Sequence, residues 1–237
     1  MVRLSDKTLS VTSNPSGAAA AARQGNVVMI VDLIDMSTTC ESALEAGACD
    51  VLGASPDEYA DVPVIVNPEK MGYIAGKRAL KKQTEVIVAA EPRLITNEDE
   101  ASRLDHIQHV LRGIEKAGGV LEKIVANLGK DVCQQADFAN KVLIVVSAAG
   151  GTAFDAAYNY GAPAVITGTV ARTNHMSGNQ PAQKAASRAI QLAQKYKCGI
   201  SIVASSSNSM EDMLAAEYIA KEIVSSGFLQ LDNRQKS

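Results

Sequence analysis

Four short stretches of the chain combine residue types that act on anions and metal ions. The first is Val31-Asp32-Leu33-Ile34-Asp35-Met36-Ser37-Thr38-Thr39. Asp32 stands where an apolar run ends, and Ser37, Thr38 and Thr39 stand where a helix should begin. Ligands of open α/β sheets bind off the carboxyl ends of strands. The first N–H groups of a helix lack intrahelical partners and attract anions. This spacing therefore offers a carboxylate for a metal beside hydroxyls for a phosphoryl group. It also admits a local reading, with Thr38 as an N-cap and Glu41 completing a capping box.

The second stretch is Ser147-Ala148-Ala149-Gly150-Gly151-Thr152, between an apolar run and a helical pattern. Glycines let a backbone approach an oxyanion closely. The same small residues also suit tight packing, and the spacing fits neither dinucleotide- nor nucleotide-binding loops. The third is Gly168-Thr169-Val170-Ala171-Arg172-Thr173-Asn174-His175. Its Arg172 suits a carboxylate or sulfonate, and its His175 suits acid–base work. The fourth is Ser209-Met210-Glu211-Asp212, where Glu211 or Asp212 could join Asp32 on Mg²⁺. Its plainer reading is a capping box, with Ser209 and Asp212 starting a helix. His106 and His109 are three apart, but a helical wheel sets them off the apolar stripe, which predicts a solvated face.

These residues need elements to place them. Apolar runs without polar alternation at 27–31, 62–66, 85–89, 143–146, 164–166 and 200–203 predict strands buried on both faces. Helical patterns fall at 39–46, 98–117, 153–160, 182–197 and from Ser209 onward. The longest carries Leu104, Ile107, Val110, Leu111 and Ile114 on one stripe. Asn97 with Glu100 is its start signal, and Gly118-Gly119 its stop. Strand–helix alternation predicts an α/β fold, layered α/β/α, with a largely parallel or mixed buried sheet. No internal repeat and no linker stands out. Residues 1–237 therefore read as a single α/β domain with a frayed polar tail at 232–237.

Composition narrows the function classes. The chain has 237 residues, 46% hydrophobic and only 4% aromatic, with no Trp, so its core must be aliphatic. With 23 basic and 26 acidic residues it carries a formal charge of −3, which excludes the basic footprint of a duplex nucleic-acid binder. Few aromatics argue against stacking on single strands. No run reaches the roughly 18–20 apolar residues of a membrane span, and the N-terminal residues do not form a secretory signal. Cys40, Cys49, Cys133 and Cys198 show no C-x-x-C spacing and read as reduced cysteines of a cytoplasmic protein. A homodimer is the default expectation for such a domain.

Three segments together resemble the 2-phosphosulfolactate phosphatase family. Residues 28–47 look like its first strand, Asp-containing loop and Ser/Thr-Thr helix start. Residues 143–152 and 164–174 look like its later strands and Gly-containing loops, and 199–220 like its last strand and Glu-Asp helix. The resemblance implies a magnesium-dependent phosphatase of a small phosphorylated acid, active in coenzyme M biosynthesis. It implies catalytic roles for Asp32, Asp35 and Glu211 and metal ligation by Asp32, Glu211 and Asp212. Substrate binding would fall to Ser37, Thr38, Thr39, Gly150, Gly151, Thr152, Arg172 and Asn174. Where the family has Arg before its Ser/Thr-Thr segment, this chain has Asp35, and Ala149 stands where the family has Asn. Asp35 makes the loop friendlier to a cation and less so to an anion. The alternative is a non-catalytic or regulatory small-molecule-binding protein on the same scaffold.

Overall fold

The apolar runs become strands whose residues are buried throughout, and helices cover them. The computed structural model describes residues 7–59, 63–91 and 104–230. In chain order its elements are β1 (Leu9–Ser13), α1 (Asn14–Arg23), β2 (Val27–Val31), α2 (Met36–Glu45), β3 (Asp50–Ala54), α3 (Pro68–Lys82), β4 (Val86–Ala90) and α4 (Gln108–Ala117). Then follow β5 (Leu121–Ala126), β6 (Val142–Val146), α5 (Gly150–Asn159), β7 (Val165–Thr167), α6 (Gln180–Tyr196), β8 (Ile200–Ala204) and α7 (Met210–Ser225). Every strand pairing is parallel, in two four-stranded sheets ordered β1-β8-β2-β7 and β3-β6-β4-β5. The fold is α/β and layered as expected, with two sheets where one was anticipated.

The two sheets are topologically equivalent. Read from the other edge, the second runs β5-β4-β6-β3, so β2 corresponds to β6, β7 to β3, β8 to β4 and β1 to β5. The helices follow suit. α2 carries the chain from the first sheet to the second, and α5 carries it back. Both helices have ten residues, and each is followed by a glycine at positive φ, Gly47 (95°) and Gly161 (83°). Thr38 Oγ1 meets Thr169 Oγ1 at 2.9 Å in one half, and Thr152 Oγ1 meets Ser55 Oγ at 3.0 Å in the other. β1 stands in space after α7, as β5 stands after α4. No matching repeat of residues is legible in the sequences of the two halves.

The core follows this arrangement. α2 and α5 contact strands of both sheets and lie between them. Met36, Cys40 and Phe154 from these helices pack with Val28, Ile30, Leu52 and Ile144. The outer face of the first sheet packs Met29, Val31 and Ile202 against Ala185, Ala189, Ile219 and Ile223 of α6 and α7. α3 and α4 approach at backbone contact. A Cβ on Gly72 would lie 2.1 Å from Val110 O, and one on Gly113 would lie 2.0 Å from Glu69 O. Among the described residues, no helix is long and apolar enough to cross a membrane.

Several local expectations change. Residues 63–66 of the anticipated strand at 62–66 form no strand, and Val62 lies outside the described residues. Pro63 lacks an N–H for a ladder. Ile65 N donates instead to Tyr160 Oη at 3.3 Å, and Asn67 N to Asp155 Oδ1 at 2.8 Å. α2 begins at Met36, so Thr38 is inside the helix and is not its N-cap. α4 begins at Gln108 after turn residues 106 and 107. The helix expected over 98–117 is therefore shorter among the described residues, and its Asn97–Glu100 signal lies outside them, as does the tail at 232–237. Elements not anticipated are β1, β3, β5, α1 and α3. The strands are short, polar or half-exposed. The helices bury small residues such as Ala18, Ala22, Ala75 and Gly76, so no stripe of large side chains marks them.

Candidate functional site

The first polar residues after the strands converge where the carboxyl ends of the two sheets meet. Asp32 follows β2 and is buried. Its Oδ2 accepts from Gly150 N at 3.0 Å and Ser147 Oγ at 3.4 Å, and its carboxyl also accepts from Met36 N. The N-termini of α2 and α5 thus both point at this one carboxylate. Asp32 N donates to Ser37 Oγ at 2.9 Å, which donates in turn to Ile30 O at 3.0 Å. Asp32 occupies the position an external anion would take at two helix N-termini.

Burial, and next the charge of Asp212, push the Asp32 pKa up to about 6, despite hydrogen bonds that favour its charged form. Glu91 follows β4, and burial and the Asp32 charge raise its pKa as well. Asn127 follows β5. Its Nδ2 approaches Glu91 Oε1 at 3.5 Å, and its Oδ1 accepts from Thr39 Oγ1 at 2.6 Å. Ser205 follows β8 and donates to Asp212 Oδ2 at 2.7 Å. Asp212 Oδ1 accepts from Leu33 N at 2.8 Å, which ties α7 to the Asp32 loop.

The structure brings Asp32, Ser37, Thr38, Thr39, Gly150, Gly151, Thr152 and Asp212 together as sequence spacing suggested, but their donors already have partners. Thr38 Oγ1 donates to Leu33 O at 2.5 Å, and Gly151 N donates to Ser147 Oγ at 2.9 Å. Ser37 N donates to Asp32 O and Thr152 N to Ser147 O. The two glycines are required by packing. A Cβ on Gly150 would sit 2.2 Å from Asp32 Oδ2, and one on Gly151 2.0 Å from Ala54 O. Asp35 is half-buried immediately before α2.

Other expected residues stand elsewhere. Glu211 is exposed and accepts from Ser209 Oγ at 3.1 Å. Ser209 caps α7 by accepting from Asp212 N at 3.2 Å, as the capping reading anticipated. Arg172 and Asn174 lie in an exposed loop, with Asn174 Nδ2 3.5 Å from Lys130 O. His175 N in that loop donates to Glu45 Oε2. His109 Nδ1 lies 3.0 Å from Asp57 Oδ1, without the alignment of a hydrogen bond. His106 Nδ1 lies 2.9 Å from Glu58 Oε2. These two histidines hold the turn Asp57–Tyr59 against the start of α4.

Glu91, Asn127 and Ser205 were not anticipated as members of the site, and Ser147 and Thr169, inside the stretches singled out, were given no role there. The first four directly follow Ala90, Ala126, Ala204 and Val146, the last residues of buried strands. That position is the signal that could have found them.

Among the described residues, no three or more His, Cys, Asp or Glu side chains are grouped to hold a metal ion. The expected trio of Asp32, Glu211 and Asp212 does not fit one. Glu211 faces solvent, and both oxygens of Asp212 are engaged. Asp32 and Glu91 are the carboxylates whose chemistry suits Mg²⁺, which takes one or two carboxylates and completes its shell with water and substrate oxygens. No protein-family model matches the chain, and no curated protein matches its sequence.

Proposed function

We propose that the protein is a phosphatase-like hydrolase of a small phosphorylated acid, working at the junction of the two sheets around Asp32. The observation that carries this reading is Asp32 itself, a buried carboxyl with a pKa of about 6, beside two further acids and facing two helix N-termini. A buried carboxyl raised toward neutral pH is suited to taking up and returning a proton. Asp32 would accept or return a proton near neutral pH, with Glu91, its pKa also raised by burial and by the Asp32 charge, beside it. Mg²⁺, with Glu91 as its protein ligand and water and substrate oxygens completing its shell, would supply polarisation of a phosphoryl oxygen. The resemblance to 2-phosphosulfolactate phosphatases points to the same substrate class. A cytoplasmic setting agrees with four free cysteines.

One observation favours a second reading. The hydroxyls and glycine N–H groups expected to grip a phosphoryl group are spent on internal bonds. A non-catalytic small-molecule-binding protein on the same scaffold would need no such grip.

The deciding experiment measures phosphate release from a panel of small phosphorylated acids, 2-phosphosulfolactate included, with Mg²⁺ and then with EDTA. Metal-dependent release that Asp32→Asn and Glu91→Gln both abolish supports the hydrolase. Absence of release by folded protein across the panel rejects it in favour of the binding protein.

A further inference from the structure

The equivalence of the two sheets supplies an internal control for their edges. Exposed edge strands invite pairing with other chains, and proteins blunt them with charge, brevity or irregularity. β5 carries Glu122 and Lys123, with Lys141 bridging Glu122 at 2.7 Å. β3 begins at Asp50, held by Arg78 at 3.0 Å. β7 is only three residues long. β1, the counterpart of β5, has none of these features. Its sequence, Leu9-Ser10-Val11-Thr12-Ser13, is uncharged and pairs along its full length with β8. Among the described residues nothing pairs with its other side, and Val11 is 38% exposed.

Strand geometry fixes which groups face outward. Ile200 N donates to Thr8 O at 2.8 Å, so Thr8, Ser10 and Thr12 point their backbone groups at β8. Leu9, Val11 and Ser13 therefore turn their N–H and C=O groups away from the sheet. We propose that β1 pairs antiparallel with β1 of a second copy of this chain about a two-fold axis at Val11, joining two four-stranded sheets into one of eight strands. In that register Val11 meets its own copy, Leu9 meets Ser13 and Ser10 meets Thr12. No charge on the strand faces a like charge, so the segment is complementary to itself, as a closed isologous interface requires. The same pairing by β5 would bring charged side chains of like sign near the axis.

The test is the molar mass of the full chain at tens of micromolar, by light scattering or sedimentation. The expected result is a dimer. Val11→Lys places two ammonium groups at the axis and should weaken self-association by roughly a hundredfold. Lys123→Val on β5 should leave it unchanged. Val11→Cys tests the register without adding charge, because residues paired across the axis lie within disulfide reach. Mild oxidation should link two copies through that cysteine, as mapped by peptide mass. A monomeric wild-type chain overturns the proposal. So does a dimer that Val11→Lys leaves intact and Val11→Cys does not link.

Discussion

Gly150 N donates to Asp32 Oδ2 at 3.0 Å, across the junction of the two sheets and between residues 118 positions apart in the chain. The bond caps α5 and favours the charged form of Asp32, against the burial that pushes its pKa up. It also explains the glycine, since any side chain at position 150 would displace that carboxylate.

Gly150→Ala therefore forces Asp32 away from α5 or shifts α5 itself. Overpacking of this kind costs about 1–3 kcal/mol. Urea unfolding of the variant should show the loss, with Gly151→Ala losing a similar amount against Ala54 O. A variant as stable as wild type would mean that the junction is looser than its distances state.

Stability should depend on pH through Asp32 and Asp155. Burial raises both pKa values from 3.8 to about 6. The folded state then holds protons that the unfolded state has lost between about pH 4 and 6, so stability falls as pH rises through that window. Each group contributes up to about 3 kcal/mol of this fall. Urea midpoints measured across the window should decline less in Asp32→Asn and in Asp155→Asn than in wild type.

Neighbouring acids at the start of α7 should behave differently. Asp212→Ala leaves Leu33 N and Ser205 Oγ without their acceptor inside the protein, at a cost of about 1–3 kcal/mol. Glu211→Ala changes an exposed side chain and should stay within about 0.5 kcal/mol. Phosphate release, if present, should survive Glu211→Ala. Its loss there with stability intact would restore Glu211 to the site.

Arg188 Nη2 bonds the buried Glu41 at 2.5 Å, and Thr167 Oγ1 donates to the same carboxylate. Arg188→Met strands that charge and should cost roughly 3–5 kcal/mol. Replacing both partners, as Arg188→Met with Glu41→Leu, should recover much of the loss. Chemical denaturation of the three variants measures the coupling.

The repeat yields a test of topology. The gap between α7 and β1 corresponds to the connection between α4 and β5. A circular permutant with its old ends joined by a flexible linker and new ends opened near 118 should fold with an unchanged circular dichroism spectrum. Failure to fold would mean that its half needs the α4–β5 connection intact.

Sequence by itself determined the layered α/β class, with a largely parallel or mixed sheet, because short β-branched runs such as Val142–Val146 between helical patterns suit strands covered on both faces. It placed Asp32, the Ser37–Thr39 segment and the Ser209 cap, because strand ends and helix starts follow local rules. The rest depended on distance. Glu91, Asn127 and Ser147 are ordinary polar residues until two sheets set their strand ends side by side. The glycines at 150 and 151 look like a phosphate cradle until Asp32 and Ala54 fill the space before them. α3 escaped notice because Gly72 and Ala75 bury backbone rather than large side chains. The doubling of the fold escaped because different residues fill equivalent positions in the two halves, so only topology repeats. Burial and neighbouring charge, which set the titration of Asp32, exist only once the chain has closed around it.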